Sequence, residues 1–338
     1  MQAVIVNANS GPLLAQALSA LAAQTHPPEQ TVVVDNASTD GSADRLESLF
    51  PKVTVVRLDD NVGFAAANNL AVRDAPDCEW VALLNPDAFP EPDWLEHLLA
   101  AAAEKRNYSF FASRLLIADD PSRLDATGDI LHVSGIAWPR DHGAPGSTDR
   151  AGGEVFSASA AAALYRRDAF IEAGGFDERF FCYFEDVDLG FRLRLAGHRC
   201  WYVPTAVARH VGAATSGRES DFFLYHTHRN IIWTYVKNMP SPLFWLYLPQ
   251  HVLFNVLFLI GYIRLRRARL VMRAKVDALR GLAPVLRERR IVQRRRVPSS
   301  RDLRALMATG LDVVPMLTRR SRELSASSTA ASRGFTRS

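Results

Sequence analysis

The stretch Trp80-Val81-Ala82-Leu83-Leu84-Asn85-Pro86-Asp87 decides how this chain is read: five apolar residues of strand type run into a turn that ends on a carboxylate. A carboxylate at the carboxyl end of a strand points into the crevice where open α/β sheets bind ligands. Asp87 is also the last of four polar residues, Asn9, Asp35, Asn61 and Asp87, each 26 positions from the next and each just after a β-rich run. One strand and one helix fit each step. The runs Ala3 to Val6, Thr31 to Val34, Val53 to Val56 and Trp80 to Leu84 alternate with helical patterns at Leu13 to Ala23, Ser42 to Leu49, Ala65 to Arg73 and Asp93 to Lys105. That βαβα order predicts an α/β fold, a Rossmann-like, mostly parallel sheet with helices on both faces.

With 338 residues, 48% of them hydrophobic, the chain can bury one enzyme-sized core and carry an appendage. Its net charge of +4 conceals an asymmetry. Residues 1–263 carry 20 basic and 31 acidic side chains, whereas residues 264–338 carry 20 and 5, so the basic excess lies in the tail. Cys78, Cys182 and Cys200 are too scattered for a disulfide framework or a paired-ligand zinc site, and suit a reducing compartment. The first strand starts almost at Met1 with no signal peptide before it, so the catalytic machinery is expected to face the cytoplasm.

From 117 to 155 the periodicity breaks up among Gly128, Gly135, Gly143, Gly146, Gly152, Gly153, Pro139, Pro145 and several aspartates, which predicts a long surface excursion. Order returns with Phe156 to Tyr165, a helix near Arg167 to Ala173, the acidic cluster Glu185-Asp186-Val187-Asp188, an amphipathic stretch Leu189 to Ala196 and a strand at Trp201-Tyr202-Val203. Leu243 to Ile263 is long and apolar enough to cross a bilayer. Pro249, Gln250, His251 and Asn255 interrupt it, however, which favours a re-entrant or interfacial helix pair. Behind it, Leu265, Ala268, Met272, Val276, Leu279, Ala283 and Leu286 recur at helical spacing among arginines. That pattern predicts a basic amphipathic helix, kinked at Pro284, against an anionic membrane surface. Ser325 to Ser338 reads as a disordered tail.

The chain resembles the family-2 glycosyltransferases of GT-A fold, in particular their bacterial rhamnosyl- and galactofuranosyltransferase-like branch. The resemblance rests on Val4-Ile5-Val6-Asn7-Ala8-Asn9-Ser10, Val32-Val33-Val34-Asp35-Asn36-Ala37-Ser38-Thr39-Asp40-Gly41-Ser42, Asn61-Val62-Gly63-Phe64-Ala65, Leu83-Leu84-Asn85-Pro86-Asp87, Gly174-Gly175-Phe176-Asp177, Tyr183-Phe184-Glu185-Asp186-Val187-Asp188 and Arg209-His210, in that order over about 1–235. It implies a nucleotide-sugar-binding half at 1–116 and an acceptor and catalytic half of the same domain at 117–237. Membrane-associated helices would follow at 238–290, and a basic tail at 291–338. It further implies that Asp35 reads the nucleotide base and that Asn61 and Gly63 line the donor site together with Asn7, Asn9 and Asn85. Asp87 would hold Mg²⁺ or Mn²⁺ with His210 as second ligand, and Asp186 would be the base of an inverting transfer without a covalent glycosyl-enzyme. The implied donor is a nucleoside-diphosphate sugar, dTDP-rhamnose first and a UDP-sugar next. The implied acceptor is a glycan or polyprenyl-linked precursor at the cytoplasmic face of the membrane. Two positions depart from the family: Asn85 stands where an aspartate is usual, and Ala8 where an aromatic residue is common.

The chemistry asks for these residue types. A departing nucleoside diphosphate gathers negative charge that a divalent cation stabilises, and such a cation needs only one or two protein carboxylates when phosphates supply other ligands. Asp87 meets that demand. The acceptor hydroxyl needs a base, and Asp186 or Glu185, behind the aromatic run Phe180 to Phe184, could be desolvated for that role. Each residue alone also has an ordinary structural reading, as turn former, helix cap or core histidine; their coincidence in one order weighs against it. An NAD-dependent oxidoreductase is disfavoured because Gly11 stands alone after the first strand. Nucleic-acid binding is disfavoured because the arginines alternate with helix-spaced aliphatics behind an apolar segment. The remaining alternative is a catalytically inactive, membrane-tethered nucleotide-sugar-binding protein of the same fold, against which the intact Asp87, Asp186 and His210 argue.

Overall fold

The computed structural model of the chain describes residues 1–75, 78–212, 220–310 and 312–313; the expected disordered tail, 325–338, lies outside the described residues. The first half alternates as anticipated: β1 (Gln2–Asn7), α1 (Leu13–Ala22), β2 (Gln30–Asn36), α2 (Leu46–Leu49), β3 (Val53–Leu58), α3 (Phe64–Arg73), β4 (Trp80–Leu84), β5 (Ala88–Pro90) and α4 (Trp94–Glu104). Then follow β6 (Phe110–Ile117), β7 (Asp120–Ala126), β8 (Asp129–Leu131), β9 (Ala137–Pro139), β10 (Gly153–Val155), β11 (Ala162–Arg166), α5 (Arg167–Glu172), α6 (Glu185–Leu195) and β12 (Cys200–His210). Five helices close the described chain: α7 (Asp221–Asn238), α8 (Ser241–Arg264), α9 (Ala268–Arg280), α10 (Leu282–Arg294) and α11 (Ser300–Ala305).

The central sheet runs β10-β12-β6-β11-β4-β1-β2-β3. Strands β4, β1, β2 and β3 are parallel, and β11 enters antiparallel between β4 and β6. The expected parallel arrangement therefore holds for the first four strands, and the complete sheet is mixed. Strand β1 is buried at every position because both faces are covered. Ala3 and Ile5 pack with Leu14, Leu18, Trp94 and Leu98 of α1 and α4, while Val4 and Val6 pack with Ala65, Ala71 and Val72 of α3 and with Leu189 and Leu193 of α6.

The 117–155 region is not the surface excursion the sequence suggests. It contributes β7 to β10, and Leu124, Ala126, Leu131 and Val133 are buried. Local glycine and proline signals concealed these strands: β7 folds back on β6, β8 pairs with β9, and β10 pairs with the distant β12. Strand β12 also runs on past the expected Val203, its pairing with β6 shifting register between Val203 and Val207. Helix α2 covers only the end of the expected Ser42 to Leu49 segment.

In the acidic cluster, Asp188 is a structural residue. It is fully buried and accepts hydrogen bonds from Lys237 Nζ, Arg192 Nε and Asn238 Nδ2, and Lys237 also reaches Asp177 at 2.5 Å, tying α6 to α7. Lys237→Met removes the cation between two buried carboxylates, and breaking such a pair costs about 3 to 5 kcal/mol. Urea denaturation should therefore show a lowered midpoint with an unchanged slope.

Helix α8 is continuous through Pro249. Two of the polar residues that interrupt the apolar run, His251 and Asn255, turn inward. His251 Nδ1 donates to Ser134 O at 2.7 Å while its ring stacks on Tyr235, and Asn255 Oδ1 accepts from Lys275 Nζ at 2.6 Å. The opposite face, with Trp245, Leu246, Leu253, Val256, Leu257, Ile260 and Ile263, is exposed, Trp245 to 69%. The basic segment is two helices rather than one kinked at Pro284. The break falls at Gly281, where a Cβ would stand 2.6 Å from the Trp233 ring. Pro284 sits in the first turn of α10, where a missing N–H costs nothing.

Candidate functional site

The ends of β1 and β2 carry a polar knot. Asn7, fully buried, donates through Nδ2 to Asp35 Oδ1 at 3.0 Å and to Ser38 Oγ and Ser42 Oγ at 2.9 Å. Asn9, left-handed at φ 55°, accepts from Thr39 N at 2.8 Å. Asn61 Oδ1 accepts from Asn36 Nδ2 and Gly63 N, both at 2.9 Å. The amides of Asn7, Asn9 and Asn61 thus shape the loops around Asp35. Gly63 has φ 88°, and a Cβ there would lie 2.7 Å from both the carbonyl oxygen and the ring of Phe181.

One β-pairing assembles the next cluster. Strands β5 and β12 run antiparallel with His210 opposite Ala88, and Val211 N donates to Asp87 O at 3.0 Å. This brings His210 Nε2 to 3.5 Å from Asp87 Oδ1, too long for a good hydrogen bond. The other ring nitrogen, Nδ1, lies 2.8 Å from Asp125 Oδ2. Burial pulls the imidazole pKa down, but Asp125 and Asp87 outweigh it and raise the pKa to about 10. In Asp125 burial works upward, yet hydrogen bonds from His142 and His210 hold the carboxyl well below its ordinary range.

These residues fit a divalent cation. Two ligands about 2.1 Å from one ion at right angles stand about 3 Å apart, close to the observed separation. Both His210 Nε2 and Asn85 Oδ1 are buried and without a hydrogen-bond partner among the described residues. No group of three or more acidic, histidine or cysteine residues clusters as a complete metal cage among the described residues. The remaining ligands would have to be substrate phosphates and water, as hard cations commonly accept.

The acidic pair lies one link away. Asn85 N donates to Ala161 O at 2.8 Å, and Ala160 N donates to Asp186 Oδ2 at 3.2 Å, so the segment before β11 joins the end of β4 to the start of α6. Asp186 is half-buried, and Val187 N at 2.8 Å engages its second oxygen. Burial raises its pKa, while the two backbone donors act in the opposite direction. Glu185 is more deeply buried and its Oε2 has no partner among the described residues; burial and then the neighbouring Asp186 push its pKa well up. Asp129, bound by Ser157 Oγ at 2.9 Å, is pushed up by burial and by Asp186. Of the three carboxyls Asp186 is the least buried and the one held by two backbone donors.

The loop before Asp186 is strained, with Phe181, Tyr183 and Phe184 all at positive φ. Asn230 of α7 holds it by donating to the carbonyls of Phe180, Cys182 and Tyr183, and Phe181 O accepts from Ala65 N at 3.1 Å. Asp125, Asp129 and Asn230 escaped the sequence reading. The first two sit in the segment taken for an excursion, and Asn230 lies mid-helix, where nothing local marks it.

The sequence profile of Glycosyl transferase family 2 matches residues 3–174. An N-acetylglucosaminyl-diphospho-decaprenol L-rhamnosyltransferase of Mycobacterium tuberculosis is 31% identical over 251 residues, covering 67% of this chain and 81% of that protein. The O-antigen chain rhamnosyltransferase RfbN of Salmonella typhimurium is 26% identical over 214 residues, covering 61% and 65%. Among solved structures, the mannosyltransferase PcManGT from Pyrobaculum calidifontis, in complex with GDP-Man and Mn²⁺, superposes with a TM-score of 0.52 at 18% identity. It covers 90% of this chain and 83% of that one, a likeness of fold.

Proposed function

The chain belongs to glycosyl transferase family 2, and from that membership we propose that it transfers rhamnose from a nucleoside diphosphate, dTDP first and UDP as the alternative, to a lipid-linked glycan precursor. It is a glycosyltransferase of the GT-A fold. The sugar and the lipid-linked acceptor are drawn from the mycobacterial relative's activity. The observation that carries the residue roles is the β5–β12 register, which sets Asp87 against His210, with Asp186 tied to the same strand end through Ala160 and Ala161.

In this reading Asp35 holds the nucleoside, and Asp87 and His210 are the residues that would hold Mg²⁺ or Mn²⁺. A cation held there would supply positive charge to stabilise the departing diphosphate. Asp186 accepts the proton of the acceptor hydroxyl as that oxygen attacks the anomeric carbon, and direct displacement inverts the configuration. Its two backbone hydrogen bonds fix the carboxylate's orientation, while its partial burial makes it more basic than a solvated aspartate. Asn85 in place of an aspartate leaves the cation less protein charge, so the donor diphosphate contributes more of its binding. Incubating the purified protein with a panel of nucleotide sugars and a prenyl-diphosphate-linked acceptor, with and without Mn²⁺, tests this. Metal-stimulated consumption of dTDP-rhamnose is expected, and preference for another sugar would overturn the donor assignment.

The same proposal places the enzyme at the cytoplasmic face of the membrane. Helix α8 packs on the body along its length, with Leu243 against Tyr235, His251 against Ser134, Asn255 against Lys275 and Tyr262 against His228. A helix bound that way along one side lies flat in the interface with its apolar side down. Exposed Arg266, Arg269, Arg273 and Arg280 beside it each add about 1 kcal/mol against anionic lipid. Single-cysteine variants Ser241→Cys and Arg266→Cys in sealed inverted vesicles should both react with an impermeant maleimide from the cytoplasmic side. Labelling of only one end would show a crossing instead. Substituting Trp245, Leu253 and Ile260 by Glu should abolish flotation with anionic vesicles while sparing donor hydrolysis.

A further inference from the structure

Strand β7 supplies a carboxylate to which nothing above gives a task. Asp125 is buried behind His210, its Oδ2 2.8 Å from Nδ1, on the side of the ring away from Asp87. Its own position is fixed from a second direction, since His142 Nδ1 lies 2.8 Å from Asp125 O and 3.2 Å from Asp125 Oδ1. The loop that carries His142 is clasped to β7 by backbone hydrogen bonds: Leu124 N to Ala144 O at 2.9 Å, Gly143 N to Leu124 O at 2.6 Å and Thr127 N to Arg140 O at 3.1 Å.

A neutral imidazole carries one proton, and the nitrogen that lacks it is the one able to bind a metal ion. A carboxylate accepting from Nδ1–H leaves the Nε2 lone pair free, turns the ring and makes it a better donor to a cation. We propose that Asp125 is the positioning residue of the metal site: by holding the Nδ1 proton of His210 it presents Nε2 to the cation beside Asp87, and His142 with its clasped loop keeps Asp125 in place. This rests on the reading of Asp87 and His210 as the cation's protein ligands. It gives the Gly- and Pro-rich 117–155 segment a specific task, bracing the metal ligand from behind.

The test uses the full chain and two variants of the positioning residue, Asp125→Leu and Asp125→Asn. The second preserves volume in case the first does not fold. Mn²⁺ binding, followed by the free-ion EPR signal with Mn²⁺ alone and with Mn²⁺ plus thymidine diphosphate, is expected to weaken about 10- to 100-fold in both. In ¹⁵N-histidine-labelled protein saturated with Mg²⁺ and thymidine diphosphate, His210 should be the Nδ1–H tautomer with a downfield, hydrogen-bonded Nδ1 proton in the wild type, and Asp125→Leu should lose that downfield shift. Folded variants that bind Mn²⁺ within twofold of the wild type, while Asp87→Ala and His210→Ala lose it, would overturn the positioning role and leave the metal site standing. If Asp87→Ala and His210→Ala also bind Mn²⁺ normally, the metal-site reading falls and the role of Asp125 falls with it.

Discussion

Asp186→Asn should lower turnover by about 10² to 10⁴ while nucleoside-diphosphate binding stays close to that of the wild type. The substitution keeps the shape and the acceptor oxygen that Ala160 N engages, so the start of α6 should hold its position. What it removes is the capacity to take a proton. Glu185→Gln is the discriminating control. Glu185 is buried, and burial and the neighbouring Asp186 push its pKa well up and disfavour its charged form, so its amide should be tolerated far better. Single-turnover transfer rates with saturating donor, set beside calorimetric binding of thymidine diphosphate, would decide. If the Glu185 variant is dead and the Asp186 variant is active, the base is the other carboxylate.

Asp87→Ala should cost about 10²-fold or more in transfer, the loss expected when one stabiliser of developing charge is removed. The fold should survive, because Asp87 lies at a strand end where its backbone carbonyl, unaffected by the substitution, supplies the contact to Val211 N. Near-normal turnover at saturating Mn²⁺ and donor would remove Asp87 from the metal site. A lost circular-dichroism signal would instead mark the residue as structural.

Where the fold could be read from the sequence, local periodicity carried the information. The strands β1 to β4 and the helices between them have apolar runs of the right length, and Asn9, Asp35, Asn61 and Asp87 mark their ends at equal steps. Where it could not, the deciding contact was distant in the chain. Strand β7 pairs with β6, but Asp125 acquires its meaning only from His210, 85 residues away. The choice between Glu185 and Asp186 was open for the same reason, since the burial that separates them comes from packing around α6 rather than from neighbouring residues. Gly281 and Pro284 exchanged roles because the ring of Trp233, from α7, requires a residue without a side chain at 281. The inward turn of His251 and Asn255 likewise depends on Ser134 and Lys275, which flank α8 only after folding.

The contact between Gly63 and Phe181 bears on how this enzyme can diverge. A side chain at 63 would collide with both the carbonyl oxygen and the ring of Phe181, and Phe181 belongs to the strained loop that aims Asp186. Neither position is free to drift alone. A lineage that placed a side chain at 63 would have to rebuild the loop around 181 in the same step, or pass through an intermediate with that loop displaced. On the proposed roles of these two loops, donor contacts and placement of the base would be inherited as one unit, and an exchange between relatives would have to transplant both loops together.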